Sequence, residues 1–75
     1  MDISDIMIHI DASLSATQRA GLEETIRLRA GVVAARFNPG KDHLLVVAFD
    51  PAQVRPAALL ADTRAQGYTA QLVGA

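Results

Sequence analysis

The chain has 75 residues, seven basic against eight acidic side chains for a net charge of −1, and no cysteine. This length fits a single domain, residues 1–75, that buries only roughly 60–65% of its unfolded surface, with no disulfide or thiolate zinc site to support it. The charge balance argues against nucleic acid as a partner, and no apolar run approaches the ~20 residues of a membrane span.

The first residues, Met1-Asp2-Ile3-Ser4-Asp5, are acidic and lack the basic region of a secretory signal, so a cytoplasmic protein is expected. Ile6, Ile8 and Ile10 then alternate with Met7 and His9, the period of a half-buried strand. Asp11 to Leu14 reads as a loop. Ser15 followed by Gln18 has the spacing of a capping box, and Leu22, Ile26 and either Leu28 or Arg29 continue at helical spacing. The helix is expected to stop at Gly31. Val32 to Phe37 and Leu44 to Phe49 read as strands of a hairpin around the turn Asn38-Pro39-Gly40-Lys41. Pro56 suits the first position of a second helix running through Leu59, Leu60 and Thr63 to Gly67, and Tyr68 to Val73 closes the chain as a strand.

Strand, helix, hairpin, helix, strand is the split βαβ pattern. The expected fold is α+β: a ferredoxin-like βαββαβ two-layer sandwich of strand order 4-1-3-2. Its four antiparallel strands carry two helices on one face, and no layer covers the other.

Several short motifs fall in one order: Gly31-Val32, Phe49-Asp50-Pro51, Val54 and Gly67-Tyr68. Together they resemble the heavy-metal-associated domain family of copper chaperones and copper-pumping ATPases over roughly residues 6–73. The resemblance implies a soft-metal site, Gly-Met-x-Cys-x-x-Cys, in the first loop. Counting back from Gly31 puts its cysteines near Ser15 and Gln18, within Ser13, Leu14, Ser15, Ala16, Thr17 and Gln18, with Tyr68 packed nearby as a cover. This loop is therefore a degenerate metal site, because hydroxyl and amide groups are poor ligands for cuprous ion. Thr63 is a second departure, at a helix position where the family carries isoleucine or leucine.

Other ligands for a metal would be His9, His43, Met7, Asp11 and Asp42. The fold places His43, Asp11 and Tyr68 at one end, but strand parity separates the histidines. With Leu45, Val47 and Phe49 inward, His43 falls on the helix side, while His9 falls on the opposite face. A chelate between them would need a register break. No cofactor is therefore expected beyond weak transition-metal binding.

Catalysis has no support either. The sequence holds no glycine-flanked nucleophile with a histidine partner and no phosphate-cradling glycine loop. Glu23 and Glu24 diverge on a helix face, and the arginines (Arg19, Arg27, Arg29, Arg36, Arg55, Arg64) are dispersed, so both sets read as solvated surface. A non-enzymatic protein is expected.

The uncovered sheet face is the more informative feature. Parity places Leu44, Val46 and Ala48 on it beside Met7 and His9, where a solvated sheet would carry polar residues. Val33 or Ala34, Arg36, Thr69, Gln71 and Val73 form a mixed rim. An apolar centre inside such a rim is the composition of an interaction surface, for a protein partner or a second copy.

Overall fold

Alternation decides the first strand: β1 (Ser4–Ile10) buries Ile8 and Ile10 and turns Met7 the other way. This computed structural model describes residues 2–73; residues 1, 74 and 75, the ends of the expected 1–75 domain, lie outside the described part. After β1 come α1 (Ala16–Arg27), β2 (Val32–Asn38), β3 (Lys41–Phe49), α2 (Pro56–Ala65) and β4 (Ala70–Val73). The strands form one antiparallel sheet of order β2-β3-β1-β4. The expected ferredoxin-like topology is the one observed.

Each helix buries a narrow stripe against the sheet. Leu22 and Ile26 of α1 and Leu59 of α2 join Ile8, Ile10, Leu45, Val47 and Phe49 in one core. Thr63 is fully buried among them, and its hydroxyl donates to the Leu59 carbonyl at 3.0 Å, so the polar atom is satisfied within its own helix. Pro56 begins α2, and Gly67 follows it at φ +94°. Pro39 and Gly40 (φ +78°) turn the chain between β2 and β3.

Three of the motifs scattered along the sequence, at Gly31, Asp50 and Val54, meet in one knot. The Asp50 amide donates to the Gly31 carbonyl at 2.8 Å, and the Gln53 and Val54 amides donate to the Asp50 carbonyl. The Asp50 carboxylate accepts from the Gln53 side chain and the Ala52 amide, which hold its pKa below the ordinary value. Gly31 has φ +97° and lies so close to Gln53 and Val54 that its turn packs directly on the segment leading into α2. This corrects the expected end of α1. The helix stops at Arg27 with Leu28, 79% exposed, as its cap; Gly31 serves the tertiary contact instead.

The solvated-surface reading is also corrected for Glu23, Arg27, Arg29 and Arg64, whose side chains tie elements together, while Arg36 and Arg55 are exposed. Glu23 accepts the Phe37 amide at 2.8 Å, and Arg27 donates to the Ala35 carbonyl at 3.0 Å, so α1 satisfies backbone groups of edge strand β2. At the opposite edge Arg64 donates twice to the Ala70 carbonyl. Arg29 forms a two-pronged pair with Asp62 that ties the end of α1 to α2. Side chains thus occupy positions on both outer strands where a further strand would add.

Candidate functional site

The loop after β1 is a helix start. Ser15 Oγ accepts the Gln18 amide at 3.1 Å, and Gln18 Oε1 accepts the Ser15 amide at 2.8 Å, a closed capping box. Leu14 is buried, and its carbonyl accepts from Arg19 at 2.7 Å; Ser13, Ser15, Thr17 and Gln18 are exposed. Tyr68 is half-buried against the core. Ser15→Ala is expected to cost about 1 kcal/mol, read as a lower urea midpoint with an unchanged slope. A variant as stable as the parent would contradict this account of the loop.

The two histidines require a correction. Strand parity was expected to set them on opposite faces, yet their rings stack with centroids 5.8 Å apart and planes 16° from parallel. The reason is an irregularity in β3. Phe37 pairs with Leu45, but the next residue, Asn38, pairs with Lys41. Asp42, His43 and Leu44 therefore have no counterparts on β2. Leu44 keeps its register with His9 of β1, and the pairing with β2 lapses there, as in a bulge. His43 is freed to hydrogen-bond through Nδ1 to the Ile10 carbonyl at 2.8 Å. Asp42 reaches back to Arg19 at 3.6 Å.

That geometry settles one tautomer. A carbonyl only accepts, so His43 Nδ1 carries the proton and, in the neutral ring, Nε2 keeps its lone pair. Asp11 Oδ1 stands 2.9 Å from His9 Nδ1. It lies off the direction needed for a hydrogen bond, which leaves the nitrogen without a partner although the atom is shielded from solvent. Met7 lies two residues before His9 on the same strand face. Among the described residues, no three histidine or acidic side chains converge as a metal-binding group.

The face away from the helices carries the predicted apolar residues. Met7 pairs with Val46, His9 with Leu44 and Asp5 with Ala48, while Ala34 and Arg36 of β2 pair with Ala48 and Val46. Leu44, Val46 and Ala48 are half-buried, and Met7 and Val73 are exposed. Val33 is the extra residue of a second irregularity and is 58% exposed, so Ala34 is the one that enters the ladder. Val46 lines two depressions. One, of about 600 Å³, is shared with the helix side, lined by Met7 and Val73 together with Ile6, Leu72 and Pro56 of α2; the other, of about 170 Å³, lies toward Ala34 and Arg36. Asp5, which sequence reasoning passed over, shares the parity of Met7 and adds an acid to this face opposite the base Arg36. No helix among the described residues is long and apolar enough to cross a membrane.

No protein-family model matches the chain, and no curated protein does. Solved structures do match. A copper-binding domain of a P-type ATPase is 18% identical, with 93% of each chain covered and a TM-score of 0.84. Oxidized MerP from Ralstonia metallidurans is 16% identical over 97% of this chain and 100% of its own, with a TM-score of 0.85. The apo copper chaperone of Enterococcus hirae is 22% identical over 91% and 98%, with a TM-score of 0.81. At these identities the likeness is one of fold.

Proposed function

We propose that this chain is a non-enzymatic binding module within a metal-handling pathway of the cytoplasm. It acts by protein contact through its open sheet face, and the first occupant of that face is a second copy of itself. The observation that carries the reading is the unbroken strip Leu44, Val46 and Ala48 beside Met7 and His9, apolar at its centre and uncovered by any element of the chain. Thiolate capture of a soft ion is excluded by the absence of cysteine, so the Ser15–Gln18 loop is a degenerate form of such a site. The metal-handling context rests on the similar structures, a copper chaperone and a copper-binding ATPase domain among them.

Two features favour self-association over an added strand. The edges already have side chains from α1 and α2 bonded to them, as Glu23, Arg27 and Arg64 show. Asp5 and Arg36 also flank Val46's strand on opposite sides, so a two-fold axis along β3 can bring Arg36 of one copy toward Asp5 of the other. Light scattering is expected to give twice the chain mass for the parent and a monomer for Val46→Glu, because a carboxylate at the centre would be desolvated in the contact. A monomeric parent, unaffected by the glutamate, would overturn the reading. A second reading, a metal-ion carrier using His9, His43, Met7 and Asp11, is favoured by the closeness of the two imidazoles.

A further inference from the structure

We infer that His9 and His43 form a two-imidazole site for an exchangeable transition-metal ion of the class that imidazole suits, copper or zinc. The site lies apart from the Ser15–Gln18 loop: one ligand comes from β1, the other from the segment of β3 without β2 partners. The inference deepens the metal-carrier reading, on which it rests, and is independent of the contact-surface reading.

Ring spacing is the first argument. A metal–nitrogen bond of about 2.0–2.1 Å plus ~1.1 Å from nitrogen to ring centre separates two centroids by ~5.1 Å at a tetrahedral angle and ~6.2 Å in a linear pair. The observed 5.8 Å lies between these limits. The rings lie 16° from parallel, so binding requires them to turn until one nitrogen of each points at a common ion.

The second argument is the support each ring receives. A metal-ligating histidine ordinarily donates its other ring N–H to a carbonyl or carboxylate, which fixes the tautomer and raises the basicity of the ligating nitrogen. The Ile10 carbonyl already does this for His43. For His9 the Asp11 carboxylate waits at 2.9 Å, off-line, against a nitrogen that has no other partner. A metal on Nε2 would sharpen the demand for that bond. The third argument is the β3 irregularity itself: Asp42, His43 and Leu44 have no β2 counterparts, and the His43 ring stands beside that of His9. With two protein ligands the ion keeps open positions, as suits delivery to an acceptor.

The test is titration of the full chain with cuprous, cupric and zinc ions, followed by isotope-detected imidazole nitrogen shifts and by calorimetry. The expected result is one ion per chain, a large shift of Nε2 on both rings with Nδ1 little changed, and a loss of at least tenfold in affinity in His9→Ala and in His43→Ala. Amide spectra of both variants verify the fold. Should His43→Ala fail to fold, the parent's nitrogen shifts and His9→Ala decide the matter. No binding, binding unchanged in either folded variant, shifts confined to Nδ1, or half an ion per chain would each overturn the proposal.

Discussion

Gly31→Ala is expected to lower stability by about 2–4 kcal/mol, measured as a shift of the urea midpoint at constant slope. Two costs combine. The residue has φ +97°, a conformation that a side chain disfavours. An added Cβ would also come within 2.8 Å of Gln53 Cβ and 3.1 Å of Val54 Cγ1. Neither neighbour can retreat freely, because the Gln53 and Val54 amides are both bonded to the Asp50 carbonyl. Gly40 offers the control: its φ is +78°, yet nothing stands within 4 Å of the corresponding Cβ. Alanine there carries the conformational cost alone and is expected to be the milder change. Equal losses at the two positions would contradict the close-approach account.

Leu45→Ala is expected to cost about 3–4 kcal/mol, the usual range for a buried leucine that leaves a cavity. Leu45 is fully buried and pairs with Ile8 on one side and Phe37 on the other. For a chain of this length the whole stability is about 4–11 kcal/mol, so this single change removes a large part of it. It should also loosen the histidine pair. Leu45 is the first residue of β3 back in register after Asp42, His43 and Leu44, and it anchors the strand from which His43 departs. Contacts between the two imidazole rings should weaken in the variant's NMR spectra even where it remains folded. A loss below about 1 kcal/mol would mean that neighbouring side chains collapse into the space, which the fully buried ring of Ile8, Val47 and Leu59 opposes.

The fold was legible because local signals agreed with one another. Isoleucine alternation marked β1, serine and glutamine three apart marked the start of α1, and proline with glycine marked the hairpin. The motif positions were legible as a set, and the structure supplies their physical tie: Gly31, Asp50 and Val54 meet in one knot. Legibility failed where tertiary contacts override local pattern. Glu23 and Arg64 look like solvent-facing charges in a helical sequence, yet each holds an edge strand. His43 was misplaced because parity assumes regular pairing, and nothing in Lys41-Asp42-His43-Leu44 announces the missing β2 counterparts. The alternation Leu45, Val47, Phe49 was sound for as far as it ran. Extending it two residues further into the hairpin produced the error.

The parity of Met7, His9, Leu44, Val46 and Ala48 was readable, because β1 and β3 stay in register from Ser4–Phe49 to His9–Leu44. Its rim was less readable. The choice between Val33 and Ala34 depended on a second irregularity, and Asp5 was overlooked beside the conspicuous isoleucines.

The most direct test of the face as a contact surface is a series of amide spectra of the unmodified chain over increasing concentration. The account predicts progressive shifts confined to Asp5, Met7, His9, Arg36, Leu44, Val46 and Ala48, with α1 and α2 unmoved. Spectra that do not change with concentration, or shifts centred on the helices, would contradict it.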